Sequence, residues 1–452
     1  MLRHDLRLAL LSIGSNPFIA ALIVAVIAIG IGTSVIAITL YHAKAGNPIW
    51  WKNDVLYRVM LDSRPAPREA ESAWNAKFPP LRLIYRDALA LHRSGIPTAS
   101  AMMLSALGPV SLSGAENHPL RRTARLTTRD FFSMFDVPFL YGQAWSKSDD
   151  EAGAQVAVLS RSLSERLFGA GDTRGRTLVF SGQRFKVIGV IDRWQPLPQF
   201  YEVARSFGPS DDLFIPFRWI ESLAVLQFPG FCPRTQTSVS AFKELAPSEC
   251  NFVNLWVELR GKQQFEAYRA FLDNYGREQQ QSGRFERPLN NRLADVSTWL
   301  QMNDVVGSQS KFQAILALVF LCICILNALS LLLAKFLAGA PLAGLRRALG
   351  ATRGDIMRQH LMEVLVLGAI AGVVGIGLAA LGLRLVRKYF FWQANMPADR
   401  PEFAQVAVSL SHLDTRMLLL AVGLSLLAAM LAGIYPAWRI GRMAPATFLK
   451  IQ

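Results

Sequence analysis

The chain has 452 residues, of which 52% are hydrophobic, and a formal net charge of +15 at pH 7. Clustered Lys and Arg can indicate a nucleic-acid-binding protein. Between residues 44 and 311, however, 33 basic and 27 acidic residues are interspersed. Much of the excess positive charge lies beside apolar segments, where it fixes membrane topology and meets anionic lipid. We therefore exclude nucleic acid as a partner and predict a membrane protein.

Four apolar segments are each long enough to cross a bilayer, which needs roughly 20 apolar residues. They cover residues 18–41, 312–334, 361–383 and 417–438, and Glu363 is the one charged side chain within them. The predicted fold is an α-helical membrane domain with four transmembrane helices. One helix precedes and three follow a large inserted α+β domain.

Basic residues in short segments stay on the cytoplasmic side. Residues 1–17, an amphipathic segment, contain Arg3 and Arg7; residues 335–360 contain five basic residues and residues 439–452 contain three. We therefore predict that both termini are cytoplasmic.

This orientation places residues 42–311 and the loop 384–416 on the periplasmic side. Ala43-Lys44-Ala45 resembles a signal-peptide cleavage site. The preceding uncharged run of 24 residues exceeds the roughly 7 to 15 residues of a signal-peptide core, so we interpret residues 18–41 as a retained anchor.

Within residues 42–311 the hydrophobic period changes between two and about 3.6, which is typical of an α+β fold. The length allows two subdomains, with residues near 110–215 and the flanking segments as the division. Strands are predicted at residues 54–61, 156–159, 177–180, 185–191 and 254–259, with helices at 81–93, 160–167 and 263–279.

The four cysteines divide into two pairs. Cys322 and Cys324 lie in the second apolar segment, where thiols act as small apolar groups. Cys232 and Cys250 lie in a Pro- and Ser-rich stretch on the predicted periplasmic side, where an oxidising compartment permits a disulfide. We predict a bridge between these two; a pair of unpaired buried thiols is the alternative.

Several short motifs in order along the chain carry a family resemblance. In the inserted domain they are residues 126–132, Gly142, Asp149, Asp150, 156–160, 167–169 and 187–190. These resemble the periplasmic core domain of MacB-type transporters. Residues 346–353, 361–363 and 435–439 with Pro445 are similar to the FtsX-like permease domain.

The resemblance implies the permease subunit of a mechanotransmission-type ABC transporter in the bacterial inner membrane. It implies export of a peptide, antibiotic, toxin or lipid-linked substrate by a dimer with a second copy or a paralogue, with a periplasmic adaptor and an outer-membrane channel as further partners. The alternative is an FtsX-like signalling protein that activates a cell-wall hydrolase without transport. The large inserted domain favours the permease.

The sequence contains no Gly-x-x-x-x-Gly-Lys-Ser/Thr motif, whose amides and lysine hold nucleotide phosphates. We therefore expect no enzyme activity and no cofactor in this chain, with ATP and Mg bound by a separate cytoplasmic ATPase subunit. The segment 337–359 is the predicted contact with that subunit, since an apolar and cationic helix can bind a partner. Its candidate docking residues are Leu345, Arg346, Arg347, Leu349, Arg353 and Ile356; a role in topology alone is the alternative.

Two features of the third apolar segment need an interpretation. Glu363 follows His360 by three residues, but without a His-Glu-x-x-His motif or a histidine cluster we predict no metal site. Gly368 and Gly372 have small-xxx-small spacing, which lets helices approach closely in lipid. They are predicted to pack either within the chain or at a dimer seam.

Overall fold

The computed structural model describes residues 2–66, 77–112, 114, 119–223, 246–393, 406, 408 and 415–442. The chain forms two compact units. The helical unit comprises Met1–Gly46 and Val306–Gln452, and the sheet unit comprises Asn47–Val305.

Helices occur in both units. In chain order they are α1 (Leu2–Ser15), α2 (Pro17–Ala45), α3 (Tyr85–His92), α4 (Asp130–Met134), α5 (Lys147–Ala152), α6 (Arg161–Phe168), α7 (Gly261–Gln281), α8 (Val296–Met302), α9 (Ser308–Ala338), α10 (Ala340–Ala348), α11 (Arg353–Gln393) and α12 (Thr415–Arg442).

The strands lie in the sheet unit. They are β1 (Leu56–Met60), β2 (Leu83–Ile84), β3 (Ala99–Leu112), β4 (Leu120–Thr127), β5 (Phe139–Gly142), β6 (Val156–Ser160), β7 (Thr177–Phe180), β8 (Gln183–Ile191), β9 (Leu213–Pro216), β10 (Asn251–Glu258) and β11 (Arg292–Asp295).

The strands join in one eleven-stranded mixed sheet in the order β11-β1-β10-β3-β4-β9-β6-β8-β5, with β2 on β10 and β7 on β3 and β8. The pairs β4/β9 and β6/β8 are parallel. The first and last strands, β1 and β11, pair antiparallel, with Tyr57 opposite Asp295. The strands β3, β4 and β9 connect the two halves of the sheet, and the division of residues 42–311 into two subdomains stays a prediction.

Both faces of the sheet are covered. All eight residues of β10 are buried, as expected for a strand covered on both sides. Leu255 and Val257 belong to one core cluster and Trp256 to the other, because successive side chains point to opposite faces. The second cluster is rich in aromatic rings around Phe131, which meets Phe135 edge to face at 4.9 Å.

Charged side chains are also buried in the sheet unit. The guanidinium group of Arg125 lies 2.7 Å from Asp211 and 3.2 Å from Glu202, and Arg82 contacts the other oxygen of Glu202 at 2.8 Å. Burial alone raises the pKa of Glu202, but the charges of Arg125, Arg82 and Arg205 outweigh it and lower this pKa to about 2. The acid therefore stays ionised inside the fold.

Local sequence signals located several elements correctly. The hairpin between residues 177–180 and 185–191 is confirmed, with the turn at Ser181 and Gly182. The helix cap at Ser160 is confirmed too, since its hydroxyl accepts from Leu163 N at 3.1 Å. The predicted helix at 81–93 is shorter, because Leu83–Ile84 pairs with β10 as a strand.

Among the residues that the structure describes, four helices of the helical unit are long and apolar enough to cross a membrane, as the sequence predicts. The third of them, α11, continues to Gln393, so the first ten residues of the predicted loop 384–416 are helical instead. The basic side chains in this last part of α11 can still reach water, because long basic side chains extend from an apolar helix end to the polar surroundings.

The cysteines differ in state. Cys322 and Cys324 are free thiols on α9. Cys250 is buried and disulfide-bonded. Cys232 lies outside the described residues, so the pairing of Cys232 with Cys250 stays a prediction.

Candidate coupling site

The predicted docking segment folds as two helices rather than one. After α9 the chain forms the short α10, turns at Gly350, and enters α11. Gly350 has φ +102°, a conformation that glycine adopts readily. A reciprocal cap then starts α11, because Asp355 N donates to Thr352 Oγ1 and Thr352 N donates to Asp355 Oδ2.

One face of α10 and the following turn is apolar and exposed. Leu342, Leu345 and Leu349 are 66%, 55% and 80% exposed, and Arg346 is exposed beside them. Helical spacing of three and four residues places these four side chains together. Exposure of neighbouring leucines to water is unfavourable, and such apolar patches often mark interaction sites. The leucine row is therefore a candidate contact surface.

The other predicted docking residues lie elsewhere. Arg353 is exposed at the start of α11, whereas Arg347 is half-buried. Ile356 is only 3% exposed and packs in the core of the helical unit. Because α11 carries Ile356 into that core, we exclude it from the contact surface.

A buried ion pair lies at the base of this segment. Lys335 of α9 contacts Glu363 of α11, and both side chains are buried. The hydroxyl of Ser12 on α1 lies 3.0 Å from both carboxylate oxygens, and His360 Nδ1 lies 3.7 Å from one of them. Together with Ser12, the pair therefore links α1, near the start of the sequence, to α9 and α11.

Sequence reasoning identified Glu363 but missed its partners. Lys335 was interpreted only as part of the positive charge that sets topology. A signal did exist: Lys335 is the first charge after an uncharged helix and Glu363 lies near the start of the next apolar segment. Buried charges are costly unless paired, so pairing of these two was a reasonable expectation.

A pocket of about 390 Å³ lies beside the pair. Residues from α1, α9, α10 and α11 line it, among them Ser12, Lys335, Leu342, Arg346 and His360. None of its lining residues is Asp or Glu within the part of the chain that the structure describes.

The two small residues of α11 face another helix of the same chain. Gly368 lies against Ala429 of α12, and its carbonyl accepts a hydrogen bond of 2.9 Å from Ser425 Oγ. Gly372 lies against the same Ser425. The structure thus places both glycines in a contact within the chain.

Two family models match this chain. One describes the MacB-like periplasmic core domain and covers residues 20–275, and the other describes the FtsX-like permease C-terminal and covers residues 314–445. Together with four membrane-length helices, they define a membrane-bound permease with a periplasmic domain.

The first model covers more than half of the chain, which therefore belongs to the MacB-like family of ABC transporter permeases. Similar proteins include the "Uncharacterized ABC transporter permease YknZ" of Bacillus subtilis, with 23% identity over 318 residues, 69% of this chain and 65% of the relative. The "Macrolide export ATP-binding/permease protein MacB" of Neisseria meningitidis is 23% identical over 269 residues, 60% of this chain and 36% of the relative.

The chain thus spans less than two thirds of these relatives. Among solved structures, the periplasmic region of MacB from Actinobacillus actinomycetemcomitans aligns with 58% of this chain and 95% of its own, at 13% identity and a TM-score of 0.35.

Proposed function

We propose that this chain is the permease subunit of a mechanotransmission-type ABC transporter. A separate cytoplasmic ATPase subunit binds ATP and Mg, and its closure moves the helices that lead to the periplasmic domain. We propose that the exported substrate is a peptide, antibiotic, toxin or lipid-linked molecule. This substrate does not cross the membrane through a channel in this chain. The observation that supports the proposal most directly is the exposed row Leu342, Leu345 and Leu349 beside Arg346.

Two properties of this row suit an ATPase contact. Apolar side chains supply the buried centre of an interface, while arginine at its edge supplies charge complementarity. The row sits on α10, and α10 follows directly from α9, whose last turn contains Lys335. A push on α10 would therefore act on the helices that the Lys335–Glu363 pair joins.

The decisive experiment is co-purification of the ATPase with permease variants. We expect Leu345→Asp to abolish binding, because it places an unpaired charge in an apolar contact, at a cost of several kcal/mol. The matched control is Gly344→Asp, which adds the same charge on the opposite side of α10, where a side chain meets no neighbour within 4 Å. Full binding by the Leu345 variant would contradict the proposed surface.

The role of charge is tested separately. Reversing Arg346 and Arg347 to Glu should weaken binding more at low salt than at high salt, because rim charges act through screened electrostatics. If neither variant affects the ATPase or its response to the permease, segment 337–359 serves topology only.

We also propose that both termini are cytoplasmic and that the protein lies in the inner membrane. The basic bias of the short segments supports this orientation. Reporter fusions at Pro119 should read periplasmic and fusions at Gly339 cytoplasmic. A cytoplasmic signal at Pro119 would reverse the assignment.

A second permease copy or a paralogue completes the proposed assembly. Support comes from α9, because only 22% of its apolar stretch is buried within the chain, against 39% to 50% in the other three membrane-length helices. Cysteine cross-linking through the exposed Cys322 measures this contact. We expect cross-linked dimers in the membrane and their loss in the Cys322→Ser variant. A protein that stays monomeric in the membrane would contradict the proposed dimer.

A further inference from the structure

The pocket beside the Lys335–Glu363 pair combines cationic, polar and apolar groups. Lys335, Arg346 and His360 line it together with Leu11 and Leu342. The carboxylate of Glu363 is not among the lining groups, because Lys335 and Ser12 hold it. Glu363 neutralises Lys335, so Arg346 gives the described lining its net positive charge. The leucines make the lining partly apolar, which suits a ligand that is anionic at one point and apolar elsewhere.

Several lining groups have hydrogen-bonding capacity that the described contacts do not use. His360 Nδ1 is buried and lies 3.7 Å from a carboxylate oxygen of Glu363, beyond hydrogen-bonding distance. The ammonium group of Lys335 has three donors, of which Glu363 takes one in the described contacts. Arg346 donates to Gln359 at 2.7 Å through Nη1 and has further N–H groups. Phosphate oxygens accept hydrogen bonds from such groups.

The pocket lies where apolar helices meet polar sequence. Ser15 and Asn16 line it directly before α2 begins at Pro17. Lys335, which also lines the pocket, is the first charged residue after the uncharged run 312–334. Such boundaries lie at the depth of lipid headgroups, and in the proposed orientation this is the cytoplasmic leaflet, which contains anionic lipid.

We propose that this pocket binds the headgroup phosphate of an anionic phospholipid. Arg346 and Lys335 donate to the phosphate oxygens, and the acyl chains run along the exposed side chain of Leu11. A volume of about 390 Å³ is within the range of roughly 300 to 1,000 Å³ typical of small-molecule sites. A soluble phosphate ester shares the headgroup chemistry, but the leucines and the position at the helix ends favour the lipid.

Lipid binding to the purified full-length chain in detergent, measured by native mass spectrometry, tests the proposal without any ATPase. Phosphatidylglycerol should bind at least about tenfold more tightly than phosphatidylcholine, because both lipids carry the phosphate but only choline adds a cation, which Arg346 and Lys335 repel. Arg346→Gln should lower the affinity for phosphatidylglycerol about tenfold. The matched control, Arg353→Gln, removes an exposed charge from the same segment outside the pocket and should leave the affinity unchanged.

A second variant separates the pocket from the general positive surface. Ala338 lines the pocket and is exposed, so Ala338→Phe should fill the space without disturbing the core, and lipid binding should fall. Glycerol 3-phosphate at the same concentration should not displace the lipid. Displacement of the lipid would identify a soluble phosphate ester as the ligand of this pocket and would overturn the proposal. Equal losses in the Arg346 and Arg353 variants, or full binding by Ala338→Phe, would overturn the proposal.

Discussion

The sheet unit and the helical unit both bury charged side chains, but they surround them differently. In the sheet unit, Glu202 contacts Arg82 and Arg125, and Arg125 also contacts a second acid. In the helical unit, the carboxylate of Glu363 contacts the ammonium group of Lys335, with a serine and a histidine beside it. One arrangement is a network within a sheet, and the other is a pair that links helices.

This difference separates two uses of buried charge. A network with several partners keeps each acid ionised even when one contact lengthens, so it suits a rigid domain. A pair between separate helices depends on their relative position, because a small helix displacement changes its main charged contact. The sheet unit therefore holds its buried charges with several partners, whereas the helical unit holds Glu363 mainly through one charged contact between α9 and α11.

The largest expected effect on stability comes from removing Arg125, the central cation of the buried network. Arg125→Met should destabilise the sheet unit by about 3 to 5 kcal/mol, because it leaves Glu202 and Asp211 buried without their shared partner. Denaturant unfolding followed by tryptophan fluorescence measures this, since eight of the ten tryptophans lie in residues 42–311. Arg174→Met, which breaks an exposed pair, should cost less than about 1 kcal/mol; equal losses would remove the distinction.

Acid should weaken the sheet unit through Glu202. Its pKa is lowered to about 2 from 4.5, so its contribution to stability is fully present above pH 4.5 and is lost as the pH falls towards 2. The loss is on the order of 3 kcal/mol. The free energy of unfolding measured between pH 6 and pH 2 should fall as the pH is lowered, and Glu202→Gln should make this fall smaller. An unchanged fall in the variant would assign the effect to other carboxylates.

A smaller effect is expected from the contact between α11 and α12. Gly368→Leu should destabilise the helical unit by about 1 to 3 kcal/mol, because even a Cβ atom there meets Ala429. Gly377→Leu on the same helix is the matched control, since no atom lies within 4 Å of its Cβ position. Unfolding in detergent monitored by helicity gives both values, and similar values for the two would place the α11 contact elsewhere.

The smallest expected value is the coupling between Lys335 and Glu363. A double-mutant cycle of Lys335→Met and Glu363→Gln should give a coupling energy of about 1 to 2 kcal/mol, with the double variant more stable than additivity predicts. Unfolding in detergent measures each corner of the cycle. A coupling near zero would show that the two side chains act independently and would weaken the proposed link between helices.

Local signals in the sequence located much of the fold. Uncharged length located the membrane helices, and Ser160 and Ser181-Gly182 marked a helix start and a hairpin turn. These features depend on neighbouring residues only, so a single sequence contains them. The order of the strands depends on pairing between distant segments, such as β1 with β10, and no local pattern encodes it.

The candidate site was predicted in part. Leu345, Leu349 and Arg346 form an exposed row as a helical pattern suggests. Ile356 does not join them, because the turn at Gly350 changes the helix direction. The Arg125 network was missed as well, since arginines are mostly exposed in proteins and their burial depends on partners from other segments.

The pairing of β1 with β11 gives the sheet unit a mechanical property. Residue 57 near the start of one strand lies opposite residue 295 at the end of the other, so both chain connections leave from neighbouring points. A force that spreads these two points apart would peel the strands open one hydrogen bond at a time, which needs little load. A force that draws both points in the same direction along the strand axis puts no relative load on the ladder between β1 and β11, so the two strands would move together.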